Sequence, residues 1–267
     1  MLFIRFQNWN RLPVRIKEIM RKKEIKKRIV TMHDGAKHSL RGFMKKGDQE
    51  KLHQFRVGIK KLRAVAALIE ETADADDLRR DLKPFKGTYQ LSGKVRDSYL
   101  HIGLAKKVSA PADYLSKQKA TLKKASRQLR KGRPHHLKML RSSKKKMLKH
   151  VQGAKNKHIN LFYTTELQAI ADCVTQSEGV EELHDCRKRL KVLIYNLPLV
   201  GAAVQLPVNE EYLQQLQAAI GDWHDNVLAA EQFPELGKSS QALFEEVKQL
   251  SANFYERAIT KTKALKV

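Results

Sequence analysis

The sequence predicts an all-α protein made of a duplicated helical unit. Three observations carry that expectation. Apolar residues recur at helical spacing along most of the chain, and no stretch alternates with period two. Pro and Gly interrupt the periodicity at intervals that suit bundle helices. Two unrelated motifs recur in the same order: Leu52-His53-x-x-Arg56 matches Leu183-His184-x-x-Arg187 at an offset of 131 residues, and Gly93-Lys94-Val95-Arg96-Asp97 matches Gly221-Asp222-Trp223-His224-Asp225 at 128. The repeat divides the chain into residues 1–132 and 133–267, the first and second helical half-repeats of one unit.

The elements follow in order. From Pro13 to Lys46, apolar residues such as Ile19, Ile25, Ile29, Leu40 and Phe43 give one long helix that Gly35 bends or splits. Asp48 is the N-cap of the next helix, which runs to about Glu71. A third spans roughly Asp77 to Val108, with a kink or late start at Pro84 and Gly87. Ala110, Pro111 and Ala112 open a fourth that Gly132 and Pro134 stop. The second half gives helices over His135–Val151, Lys155–Thr175, Val180–Val200, Asn209–Glu231 and Gln241–Lys263.

Composition defines the partner class. Lys and Arg number 53 against 28 Asp and Glu, a net charge of +25. Such an excess costs self-repulsion in the compact state and suits a polyanionic partner. Residues 114–165 contain no Asp or Glu but 16 Lys and Arg, which reads as charge kept unneutralised, with Arg141, Lys144, Lys145 and Lys149 as a supporting basic surface. Cys173 and Cys186 lack CxxC spacing and are expected to be reduced thiols of a cytoplasmic protein. Arg5, Arg11 and Arg15 interrupt the apolar amino terminus, so neither a signal peptide nor a membrane span is expected.

On a helix advancing about 100° per residue, His184, Arg187 and Lys191 share a face beside the apolar stripe Leu183, Cys186, Leu190, Leu193 and Leu197. His53, Arg56, Lys60 and Arg63 repeat it beside Leu52, Phe55, Ile59, Leu62 and Ala66. A cationic row bordering the buried stripe, rather than opposing it, points into a groove. The stretches LHQFRVGIKKLRA, LSGKVRD, LHDCRKRLKVLIY and LQQLQAAIGDWHD, in that order, resemble the CHAD domain, the conserved-histidine α-helical domain, over roughly residues 15–260. The resemblance implies two four-helix-bundle-like halves related by an internal pseudo-two-fold duplication around a basic central groove or pore, a module that binds inorganic polyphosphate without catalysis. Its ligand-facing residues would be His53, Arg56, Lys60, Arg63 and Arg96, with His184, Arg187, Lys188, Lys191 and His224. Two positions depart from the pattern: Ile194 stands where the second row should have an arginine matching Arg63, and Tyr99 where an aspartate is common. The basic surface is therefore expected to be biased, with the second wall poorer.

Other functions are weaker on the residues. A nucleic-acid-binding role is the alternative that charge alone supports, but no aromatic lies between Tyr114 and Phe162 to stack on bases. Polyphosphate processing would need converging carboxylates for Mg²⁺, and the nearby acids are Asp97, Asp185, Asp222 and Asp225. No nucleophile sits beside a base, and clustered Arg and Lys repel a zinc ion at His184 or Cys186, so no enzyme activity, cofactor or metal is expected. The expected placement is cytoplasmic, in association with polyphosphate granules.

Overall fold

Ten α-helices make up nearly all of the computed structural model, which describes residues 19–260 apart from 74, 76, 177–178 and 235–239. A two-residue strand β1 (Ile19–Met20) precedes α1 (Lys22–Lys46) and α2 (Gln49–Thr72). After a 3₁₀ turn over Arg80–Phe85 come α3 (Lys86–Lys107), α4 (Ala112–Lys131) and α5 (Arg133–His150). Strand β2 (Ala154–Lys155) leads into α6 (Asn156–Gln176), α7 (Val180–Val200), α8 (Glu210–Gln232), α9 (Ser240–Ser251) and α10 (Phe254–Ile259). The fold is all-α as the periodicity implied.

Local chemistry sets most boundaries. Gly47 ends α1 in the left-handed region at φ 76°, its N–H donating to Phe43 O at 2.7 Å. Asp48 then caps α2, its carboxylate accepting from Glu50 N at 2.9 Å and Lys51 N at 3.2 Å. Pro84 lies inside the 3₁₀ turn, so α3 starts late, at Lys86. Asn209 caps α8 by accepting from Tyr212 N at 3.1 Å.

Four expectations are corrected. Gly35 neither bends nor splits α1, which passes through it unbroken. The last helix is not continuous: Asn253, in the left-handed region at φ 54°, separates α9 from α10. That turn lets α10 dock on the start of α8, where Asn209 N donates to Ala258 O at 2.8 Å and Asn209 Nδ2 to Thr260 O at 2.9 Å. Ile19 and Met20 pair antiparallel with Lys155 and Ala154, a short β contact that no period-two signal could announce. Finally, Cys173 and Cys186 are joined in a disulfide between α6 and α7. Linear spacing hid this pairing, because the reversal between the two helices brings the Cα atoms to 6.0 Å. With the thiols paired, the argument for a reducing compartment falls. The ends of the long first helix (residues 13–18) and of the last (261–263) lie outside the described residues.

Both predicted apolar stripes are core. Leu52, Phe55, Ile59 and Leu62 of α2 and Cys186, Leu190 and Leu193 of α7 are wholly buried. The two helices pack directly on one another, and Asn196 of α7 donates to Ala64 O of α2 at 2.9 Å. Tyr163 of α6 fixes the other side of α7 by donating to Leu193 O at 3.0 Å. The expected boundary near residue 132 falls between α4 and α5, yet α5 packs on α1 and the 3₁₀ turn of the preceding segment.

Candidate anion site between two helices

Burying the stripes of α2 and α7 against the core leaves their cationic rows at the shared margin. Lys60 and Lys191 are half-buried there and meet across the helix pair. Burial holds the Lys191 ammonium down to about 8, and the nearby charges of Arg187 and Lys60 push the same way. Lys60 is lowered by the same causes, burial first, then Arg56 and Arg187. Asp225 of α8 is the one carboxylate opposing both shifts. Four cationic groups thus crowd a half-buried margin, and the carboxylate that opposes them, Asp225, is itself exposed.

Two glycines seat the two arginines. A Cβ at Gly93 of α3 would lie 2.9 Å from Arg56 Nη1, and one at Gly221 of α8 would overlap the Arg187 guanidinium. A side chain at either glycine would displace the arginine tip that rests there. The same two helices deliver the remaining cations. Arg96 of α3 lowers the pKa of His53, second to burial. His224 of α8 stacks on His184 with centroids 4.5 Å apart and planes 28° apart. Burial, then His224 and Lys188, hold the His184 pKa down, while His224 Nδ1 lies 3.2 Å from Asp225 Oδ1.

The two rows differ in how their donors are used. Arg56 Nη1 donates to Tyr89 O at 3.1 Å and Ser92 Oγ at 3.3 Å, and its guanidinium lies 4.6 Å from the Tyr89 ring. Arg63 covers the same ring at 4.3 Å. Arg187 Nε and His184 Nδ1, by contrast, are buried without a hydrogen-bond partner among the described residues. Ile194 is partly buried against the core, so the second row does end without a cation. Tyr89, which organises the first row, was missed in the sequence; its signal was its position four residues before Gly93, on the same helix face.

Some expected residues lie elsewhere. Lys188 turns away from the row, pairs with Asp185 at 2.7 Å and borders a separate surface cavity of about 950 Å³ with Glu70, Glu166, Arg189 and Leu161. On α5, Lys144 binds the Asp34 carboxylate at 2.9 Å, Arg141 lies beside it, and Lys145 is exposed. Lys149 lines a cleft of about 600 Å³ with Arg80, Lys83 and Lys146, where His150 pairs with Asp81 at 2.8 Å. The acid-free stretch is therefore partly neutralised by acids from α1 and the 3₁₀ turn, a pairing that composition within residues 114–165 could not reveal. Asp97 and Asp222 are exposed. Among the described residues, no three His, Cys, Asp or Glu side chains group as a metal site, and no helix is long and apolar enough to cross a membrane.

Comparison with known proteins agrees with this architecture. No curated protein matches the chain. The crystal structure of the CHAD domain from the plant Ricinus communis superposes with a TM-score of 0.58 at 17% identity, covering 93% of this chain and 91% of that one. At such identity the likeness speaks for the fold alone. The CHAD domain profile matches residues 34–234, three quarters of the length and including α2, α3, α7 and α8, and the chain therefore belongs to the CHAD domain family.

Proposed function

We propose that the chain is a non-catalytic binding module for inorganic polyphosphate, held between the rows of α2 and α7. The observation that carries this reading is the convergence of Lys60, Arg187 and Lys191 around one carboxylate, with Arg187 Nε unpartnered. A flexible polyanion supplies what the centre lacks. Its oxygens accept from the guanidinium and ammonium groups, and its charge restores the protonated forms that burial and mutual repulsion disfavour. Counterion release then makes the affinity fall steeply with salt. Arg63, Arg96 and His53 extend the contact along α2 and α3, while His184 and His224 extend it along α7 and α8. Attachment to polyphosphate granules is the cellular role that follows.

A lone carboxylate that is already engaged with His224 does not furnish the paired acids of metal-assisted phosphoryl transfer, which favours binding over processing. The test is a salt-titrated binding assay with long-chain polyphosphate competing against duplex DNA. Binding at about 0.15 M salt that DNA does not displace at equal charge supports the reading. Displacement by DNA, or full affinity after His184, Arg187 and Lys191 are changed together to Ala, overturns it.

A further inference from the structure

A second basic cleft shares no residue with the rows of α2 and α7. It measures about 600 Å³ and opens between the 3₁₀ turn, which supplies Arg80, Asp81 and Lys83, and the last turns of α5, which supply Lys146, Lys149 and His150. We propose that this cleft binds a small anion carrying two linked phosphate groups. The inference does not depend on the polyphosphate reading, because none of the residues proposed to hold that chain lies here.

Both walls are set before a ligand arrives. Leu82 and Phe85 anchor the turn in the core and Met147 anchors α5. Between them the Asp81 side chain is only 5% exposed, and its Oδ2 lies 2.8 Å from His150 Nδ1. An ionised carboxylate can only accept, so Nδ1 carries the hydrogen of that bond and the Nε2 edge of the ring is left for a ligand. Lys146, Lys149 and His150 stand three and four residues apart, on one face of α5. Arg80 pairs with Asp77, but Lys83, Lys146 and Lys149 are exposed and pair with no carboxylate among the described residues. Cations at the end of α5 also suit the helix dipole. That role asks neither for Lys83 on the opposite wall nor for a buried carboxylate that orients the His150 ring. The volume lies in the range of small-molecule sites, and an anion with two phosphates can engage the lysines of both walls at once.

The test is titration of the full chain with pyrophosphate at about 0.1 M salt, with affinity read by calorimetry and location by the imidazole NMR signals of His150. Changing Lys146 and Lys149 together to Ala, both exposed and outside the core, is expected to weaken binding about tenfold. Orthophosphate, which offers one phosphate to two walls, is expected to bind about tenfold more weakly than pyrophosphate. The variant with His184, Arg187 and Lys191 changed to Ala should keep the pyrophosphate affinity of the cleft. His150 signals that stay in place, signals that move equally with sodium chloride at matched ionic strength, or full affinity in the Lys146 and Lys149 variant overturn the inference. Long-chain polyphosphate measured on the same proteins separates the two readings. Polyphosphate binding without pyrophosphate at His150 sinks only the cleft, and pyrophosphate at His150 without polyphosphate binding sinks only the polyphosphate reading.

Discussion

Arg56 and Arg187 begin from equivalent motifs and end in opposite states. Arg56 lies on Gly93 with its Nη1 donating to Tyr89 O and Ser92 Oγ and its plane against the Tyr89 ring. Arg187 lies on Gly221 with its Nε unpartnered and two lysines nearby. The first row is already satisfied by protein, so a ligand there must compete with existing bonds. The second row has desolvated its donors without using them, and a buried donor left unmade costs about 1–3 kcal/mol. On the proposed function, an arriving anion recovers that cost. Counting cations in the sequence makes the second wall the poorer one, because Ile194 replaces an arginine; counting unused donors gives the opposite expectation, which binding measurements on the two rows decide.

The largest effect expected from this contrast is on affinity. Replacing His184, Arg187 and Lys191 by Ala is expected to weaken polyphosphate binding about a hundredfold, about 2.7 kcal/mol, as charge-assisted contacts of about 1.5–3 kcal/mol each are lost non-additively. The matching His53, Arg56 and Lys60 variant should lose about tenfold. Equal losses in isothermal titration at one salt concentration would remove the asymmetry.

The second wall is also tied down differently. Its helix α7 is joined to α6 through Cys173–Cys186, whereas both chain cysteines are used there and α2 has no such link. A loop of 13 residues closed by a disulfide is worth about 3 kcal/mol in the chain-entropy account, and less if the reduced chain retains structure. Cys173→Ser is therefore expected to lower the urea-unfolding free energy by about 2 kcal/mol. No change in midpoint would show that the link constrains nothing the core does not already fix.

A smaller contrast sharpens the arginines directly. Arg56→Ala is expected to destabilise the fold by about 1 kcal/mol, since it removes the guanidinium bonds to Tyr89 O and Ser92 Oγ and one of the two guanidinium contacts with the Tyr89 ring. Arg187→Ala should leave stability unchanged or raise it slightly, because it removes an unpaired buried donor and relieves repulsion at Lys60 and Lys191. Thermal unfolding of both variants without ligand checks this, and a reversed order would mean that Arg187 has partners of its own in solution.

Those contrasts mark where reading a sequence stops. The stripes were legible because burial is periodic: the Leu, Phe and Ile positions spaced along α2 and α7 are the ones that lie in the core. Asp48 was legible because capping is local. Arg56 and Arg187 could be placed on a rim, but their states could not be told apart, because those depend on Tyr89 and Ser92 from another helix. The disulfide, the Ile19–Lys155 and Met20–Ala154 pairing and the Lys144–Asp34 bond share that cause, each joining segments whose approach only the packed chain defines. Asn253 is the exception: the break is local, but Asn enters the left-handed region without the Gly or Pro that would have marked it.

The mildest prediction concerns protons, and it sets stability against binding in one group. The Lys191 pKa in the folded protein is about 8 against a model value of 10.5, so folding disfavours its ammonium. That penalty is fully present below about 8 and is relieved as pH rises from there towards 10.5, so the stability of the unliganded protein should rise with pH across this window. A bound polyanion favours the ammonium, so binding takes up a proton in the same window and affinity should fall severalfold as pH climbs past 8. Burial and neighbouring cations hold the pKa values of His53 and His184 below the usual imidazole value. Affinity should therefore also rise as pH drops towards 6, where the ligand draws protons onto both rings. Lys191→Met is expected to flatten the alkaline arm of both profiles and leave the acid arm of binding in place. If stability and affinity instead change in the same direction between pH 8 and 10, the crowding of Lys60, Arg187 and Lys191 is not what poises the second wall.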